Sequence, residues 1–252
     1  MYVNSEMDKR DFLSHVNNQP RTSGMKLGQH KISCHVCQNQ RSKNKQDKPL
    51  SVNIEADKVI YHCHHCGING LVSRREDFKM KVLSFGASNS KSSINKKLAF
   101  YAAQQISDAD ISLIDLNDFE MPIFSEEREK ESGIPELAHA FYNAIGEADV
   151  IVMSFAEHNG TYTSAYKNLF DWTSRIDMKV FQNKPVLMLS TSPGQGGAQS
   201  VLASAQASAP YFSATVIGAL SLPSFFDNFD LEQGVVTNQQ FNRDLLGTLS
   251  KI

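Results

Sequence analysis

The 252-residue chain is 41% hydrophobic and 21% charged, the fractions of an ordinary soluble globular protein, which fit one large domain or two modest ones and name no function by themselves. No run approaches the roughly 18 apolar residues of a spanning helix, and the first 30 residues lack an apolar signal-peptide core, which excludes a membrane partner and sets cytoplasmic as the expected location. The net charge of -2 hides a split: residues 1–80 carry 13 Lys+Arg against 8 Asp+Glu and residues 81–252 carry 12 against 19, so a polyanion partner suits the first part only.

Residues 1–28 are polar, with an Asn-Asn-Gln-Pro stretch at 17–20 and a short helix expected around 8–16, and they read as a weakly ordered lead-in. All four cysteines follow as two C-x-x-C pairs, Cys34 with Cys37 and Cys63 with Cys66. In a chain with no export signal such pairs are metal ligands rather than disulfides. Between them, PLSVNIEADKVIYH alternates Leu50, Val52 and Ile54, then Val59 and Tyr61, across an Ala56-Asp57 turn, which predicts a hairpin. Two knuckles joined by a ribbon suit a tetrahedral Zn2+ site that staples a segment too small for a core of its own. The 25-residue middle gap exceeds the usual spacing of roughly 15–20 residues, and the hairpin supplies the extra length. His35, His62, His64 and His65 raise a mixed Cys/His set; four cysteines are preferred, with the histidines at the surface. Residues 71–79, LVSRREDFK, read as a charged linker.

The C-x-x-C pair, the P-L-S-V strand start after a basic run and the Y-x-C-x-x-C-G-x-x-G element make residues 31–72 resemble the zinc-binding domain of phage and bacterial DNA primases. That resemblance implies a zinc module over 29–74 and contact with single-stranded DNA, with Arg41, Lys43, Lys45 and Lys48 on phosphates; a charge run is otherwise a solvated face. Nothing downstream resembles a primase catalytic domain or a helicase phosphate loop.

From Met80 the pattern changes to strand–helix alternation. Strands are predicted at 81–85, 111–115, 150–155, 185–190 and 214–221, and helices at 93–105, 135–146, 164–175, 197–209 and 238–249. Apolar strands without polar alternation are buried on both faces, so the fold class expected is α/β, a doubly wound five-stranded parallel sheet over 80–252.

The first strand runs into a Gly/Ser turn and a helix, KVLSFGASNSKSSINKKLA, which aims free N–H groups and a helix dipole at the turn. Ser88, Ser90, Ser93 and Asn95 offer short donors and Lys91 a rim charge; the plain alternative is a helix cap, but the position after the first strand favours a phosphate. A second loop, Ala156 to Gly160, follows the third strand and brings Glu157, His158, Asn159 and Gly160. A third follows the fourth strand and brings Ser192, Pro193, Gly194, Gln195, Gly196 and Gly197, where little side chain obstructs a flat ligand. GQGG there is not a dinucleotide fingerprint. A phosphate on the first loop and a ring between the other two is the arrangement of bound flavin mononucleotide. His139 reads as a helix residue, and Trp172 as core.

Together these loops resemble the NADPH-dependent FMN reductase family, over essentially all of 80–252. In the first loop Ser88, Ser93 and Asn95 match, and Ser90 stands where the family has Arg. In the second, Glu157, Asn159, Gly160, Lys167, Asn168, Asp171 and Trp172 match, and His158 replaces Tyr; in the third, Ser192, Pro193 and Gly194 match. The resemblance implies a flavodoxin-like fold, bound FMN, NAD(P)H as hydride donor, a quinone or flavin as small-molecule acceptor, and a homodimer or homotetramer. FMN carries the chemistry, so no catalytic residue is expected. The rival readings are a single-stranded DNA-binding zinc protein with a secondary α/β domain, and a fusion of unrelated halves in which Met80 is an internal start.

Overall fold

The computed structural model describes residues 28–34, 48–55, 58–67, 69–73 and 79–252. The chain divides into two compact units, Met1–Lys79 and Met80–Ile252. The helix expected around 8–16, the Ala56-Asp57 turn, Cys37, His35, Arg41, Lys43 and Lys45 lie outside the described residues.

In the first unit β1 (Gly28–Ile32), β2 (Leu50–Ile54), β3 (Lys58–Cys63) and β4 (Asn69–Ser73) form an antiparallel sheet in chain order. Leu50, Val52 and Ile54 of β2 are buried while Ser51 and Asn53 are partly exposed, the alternation of a half-buried strand. That alternation fixes the register, since a slip of one residue would turn all three apolar side chains outward. Val52 accordingly stands opposite Tyr61, and Ile54 opposite Val59. One expectation is corrected: residues 71–73 are not linker but the second half of β4, with Val72 opposite Val59 and Gly70 opposite Tyr61. The charges that follow masked the strand, although an edge strand tolerates them. Gly70 leaves room for the Tyr61 ring, because a Cβ there would lie 2.5 Å from Tyr61 Oη.

The second unit begins with β5 (Met80–Ala87), α1 (Ile94–Gln104), β6 (Ala109–Ile114), a 3-10 turn at Leu116–Phe119, α2 (Glu126–Ser132) and α3 (Glu136–Glu147). Then come β7 (Val150–Phe155), the two-residue strands β8 (Glu157–His158) and β9 (Thr161–Tyr162), α4 (Ser164–Ile176), β10 (Pro185–Thr191) and α5 (Gln199–Ser208). It closes with a 3-10 turn at Ala209–Phe212, β11 (Thr215–Leu222), α6 (Phe225–Asn228), β12 (Phe229–Asp230), β13 (Val235–Val236) and α7 (Gln239–Leu249).

Five of these strands make one parallel sheet in the order β11-β10-β7-β5-β6. Successive side chains of a strand point to opposite faces, so each central strand feeds two cores. Leu83, Phe85, Ile151, Met153, Val186 and Met188 pack under α3, α4 and α5. Val82, Val150, Val152, Leu187 and Leu189 pack under α1 and α7. The sheet is thus doubly wound, as expected.

Two details differ from the sequence reading. β6 and β11 are edges and remain partly exposed, whereas β7 is buried throughout. Asp115 has left the strand, and its carboxylate caps the 3-10 turn by accepting from Asn117 N at 2.9 Å. Among the described residues no helix is long and apolar enough to cross a membrane.

Candidate functional site

Strand order decides where a site can form. From β5 the chain passes to β6 on one side and then to β7 on the other, so their following loops diverge and leave a crevice at the carboxyl ends of β5 and β7.

The loop after β5 is shaped by close packing. Gly86 lets α1 approach the strand, since a Cβ there would lie 2.4 Å from Lys96 N. Ser93 caps α1 by accepting from Lys96 N at 3.1 Å, and Ser88 Oγ accepts from Ser90 N at 3.2 Å. Both serines are buried, while Ser90 and Lys91 stand exposed at the rim. Among the described residues no acceptor meets the backbone N–H groups of Lys91, Ser92, Ile94 or Asn95. Unpaired donors at a helix N-terminus can receive an anion. Lys96 makes an ion pair with Asp115, whose carboxyl is held below the usual carboxylate range by that Lys96 bond and by the Asn117 N–H.

Asn95 behaves differently from the serines. Its side chain is buried, donates to Thr191 O at 3.1 Å, and accepts from Ser154 Oγ at 2.6 Å and Thr191 N at 3.1 Å. It ties α1 to the ends of β7 and β10, and so fixes the floor of the crevice rather than facing out of it.

The second loop is a tight hairpin, with Glu157 opposite Tyr162 and His158 opposite Thr161. Asn159 (φ 52°) and Gly160 (φ 80°) fill its turn, and positive φ at both positions is the requirement of a type I′ hairpin that Asn-Gly meets. His158, Asn159 and Gly160 are exposed. Glu157 reaches the third loop, where its Oε2 accepts from Val201 N at 3.0 Å. That contact caps α5, whose own N-cap residue, Ala198, has no side chain to do so.

The third loop, Ser192 to Gly197, is held from two sides. Ser190 Oγ and Ser221 Oγ donate to Gly197 O at 2.7 and 2.8 Å, and the N–H groups of Ser224 and Phe225 donate to Gly194 O and Ser192 O at 2.9 and 3.0 Å. Pro193, Gly194, Gln195 and Gly196 are exposed along the crevice edge. The fold therefore brings all three loops to one edge of the sheet.

The matched Lys167, Asn168, Asp171 and Trp172 lie outside this crevice. Asn168 Oδ1 accepts from Phe124 N at 2.8 Å, Asn168 Nδ2 donates to Met121 O at 3.1 Å, and Trp172 Nε1 donates to Pro122 O at 2.7 Å. These side chains pin the segment after the first 3-10 turn onto α4. Trp172 is core, as expected. Sequence reasoning missed the latch role of Asn95 and the capping role of Glu157; the missing cap at Ala198 was the available signal for the latter.

In the first unit the sulfurs of Cys34, Cys63 and Cys66 lie within 4.8 Å of one another, Cys34 and Cys63 buried and Cys66 exposed. Cys34 Sγ and Cys66 Sγ are 3.8 Å apart, the separation expected of two ligands on a tetrahedral ion with bonds of about 2.3 Å. Burial pushes the Cys63 thiol up, but the N–H groups of Cys66 and His65 and the Cys66 and Cys34 thiols outweigh it and hold it at about 7. His62, His64 and His65 are exposed, and His64 Nε2 is bonded to Ser51 Oγ at 3.0 Å.

Known proteins resemble this chain over part of its length. A relative from Mycoplasma pneumoniae, an uncharacterized protein, is 26% identical over 166 residues, 64% of this chain and 97% of that protein. The 2-hydroxy-1,4-benzoquinone reductase of a Burkholderia species is 30% identical over 119 residues, 47% of this chain and 63% of that enzyme, so the match spans less than two thirds of it. Among solved structures, a flavoenzyme NAD(P)H:(acceptor) oxidoreductase from Paracoccus denitrificans shares the fold, with a TM-score of 0.53 at 21% identity over 68% of this chain and 94% of that one. The family model for NADPH-dependent FMN reductases matches residues 80–227, more than half of the chain. The chain belongs to the NADPH-dependent FMN reductase family.

Proposed function

We propose that the second unit binds FMN and works as an NAD(P)H-dependent oxidoreductase that passes electrons to a small quinone or flavin-type acceptor. The observation that carries this reading is the crevice at the carboxyl ends of β5, β7 and β10, where the unpaired N–H groups of Lys91, Ser92, Ile94 and Asn95 offer an anion cradle in a chain of this family. Ser88, Ser90 and Ser93 complete the phosphate cradle with their hydroxyls. Asn95 keeps its floor fixed. Glu157, His158, Asn159 and Gly160 flank the ring on one side, and Ser192, Pro193, Gly194, Gln195, Gly196 and Gly197 on the other. When bound, FMN supplies hydride acceptance from a nicotinamide and electron delivery to the acceptor. The chain's task is then to bind, orient and shield, and the loops need no nucleophile or acid–base pair. The full-length protein is expected to purify yellow, or to take up FMN stoichiometrically, and to oxidise NADPH with benzoquinone as acceptor. A colourless protein that cannot be reconstituted with FMN would overturn the reading.

For the first unit we propose a Zn2+ site held by Cys34, Cys37, Cys63 and Cys66, supported by three thiols already at ligand-like separations. A primase-type contact with single-stranded DNA, through the positive charge of residues 1–80, is the partner this module suits. Metal analysis should give one zinc per chain, abolished in Cys63→Ser; absence of bound metal in the reduced protein sinks the site. Binding of a single-stranded oligonucleotide should weaken steeply with salt. No binding at low salt leaves the module without a DNA role.

A further inference from the structure

A cavity of about 210 Å³ lies on the α4–α5 flank of the second unit, walled by Phe155, Tyr162, Tyr166, Phe170, Ser208 and Phe212. Neither the loop after β5 nor Ser192–Gly197 lines it, and the second loop contributes only Tyr162, the hairpin partner of Glu157. Six aromatic side chains share the cavity wall with Met188, Ala205 and Ala209 and a few polar residues, and the rings of Phe155, Tyr162 and Tyr166 pack at tilted or edge-on angles with centroid distances of 5.4 to 5.7 Å.

One polar group in this wall is unexplained. Tyr166 is 4% exposed, and among the described residues its hydroxyl has no hydrogen-bond partner. Among the described residues only Ser84 Oγ is both fully buried and unpaired, so the Tyr166 hydroxyl keeps some accessible surface. Burial first, and the neighbouring Tyr162 second, push the Tyr166 phenol well above its ordinary range, so it stays a neutral donor. Close by, Tyr162 Oη and Ser208 Oγ lie 3.4 Å apart. Lys167 and Asp171 also border the space, but Lys167 Nζ meets both Asp171 oxygens at 2.6 and 2.8 Å and the pair presents no net charge. An apolar cavity of about 150 Å³ already holds benzene.

From the cavity's size, its aromatic walls and the unpaired hydroxyl within it, we infer that this cavity is a second binding site, which takes a neutral single-ring aromatic whose hydroxyl or carbonyl oxygen pairs with Tyr166 Oη. The site goes beyond the flavin reading and does not depend on it, because none of the residues assigned above to the phosphate or the ring lines it.

The experiment is calorimetric titration of the full chain with p-cresol and, separately, toluene, with and without added FMN. The expected result is one p-cresol per chain in either state, with no perturbation of the flavin spectrum. Tyr166→Phe, which keeps the ring and deletes the hydroxyl, should weaken p-cresol about fivefold, the loss of one neutral hydrogen bond, and leave toluene unchanged. Ala205→Leu, which fills the space from α5, should abolish both, and Ser208→Leu serves as the second filling variant if the first does not fold. Three results overturn the inference: no binding at millimolar p-cresol, equal affinity in Tyr166→Phe, or full binding in a folded filling variant. If instead p-cresol binds only with FMN present and shifts its spectrum, the ligand sits in the crevice and the second site is refuted while the flavin reading survives.

Discussion

Asn95 shows how much one side chain decides here. Its amide is spent on three partners from two other strands, so Asn95→Ala orphans Thr191 N, Thr191 O and Ser154 Oγ together in a buried place. Unpaired buried groups cost about 1–3 kcal/mol each, and relaxation recovers part of that, so the variant should lose about 3 kcal/mol in urea unfolding. A loss below about 1 kcal/mol would show that the latch is dispensable. Asp115 gives the pH prediction. The Lys96 bond, with the Asn117 N–H behind it, depresses the carboxyl in the folded state, so its contribution to stability is present above the unfolded carboxylate value and lost as pH falls through the folded one. Asp115→Asn should therefore be less stable than the parent near neutral pH, and the gap should close below about pH 4. A gap constant with pH would remove the ion pair from the account. The serines of the same loop could be singled out from the local pattern alone, because a hydroxyl between a strand and a helix is a ready capping group, and Ser93 caps α1. Asn95 matched the same motif, but its partners lie 59 and 96 positions away, where no local pattern reaches.

At the scale of elements, the second loop and α5 form one device. The Asn159-Gly160 turn places β8 so that Glu157 supplies the acceptor that Ala198 lacks, and the negative carboxylate also suits the positive end of the helix. Glu157→Ala should cost about 1 kcal/mol in thermal unfolding, the usual value of a lost N-cap. An unchanged midpoint would show that the cap is idle. Helix α4 shows the reverse of a functional motif. Its Lys-Asn-x-x-Asp-Trp stretch is recognisable by family resemblance, yet Asn168 and Trp172 bond the backbone of residues 121–124 and hold a long connection against the helix. Tyr166, Leu169, Trp172 and Thr173 form one buried face of α4, at the three- and four-residue spacing of a helix. What α4 packs against could not be read from that spacing.

At the scale of the whole molecule, the chain divides into two compact units, Met1–Lys79 and Met80–Ile252. A chain that starts at Met80 should keep FMN affinity and NADPH oxidation within about twofold of the full chain, because every residue of the crevice and every partner described for it lies after that point. A loss of flavin binding on truncation would show that the first unit completes the site. The sequence by itself determined what depends on near neighbours. Apolar runs set the five strands, capping hydroxyls at Ser93 and Thr163 set two helix starts, and the alternation of Leu50, Val52 and Ile54 set the register of the small sheet. It failed at edges, where β4 hid behind charges and Asp115 left its strand for a cap, because those outcomes rest on which strand has a neighbour. Only the tertiary structure decided that β5 lies between β6 and β7, which opens the crevice, and that Glu157, Asn95 and Thr191 meet there. Propensity and periodicity act over a few residues, whereas those contacts arise when distant segments bury their backbone groups in one place and must satisfy one another.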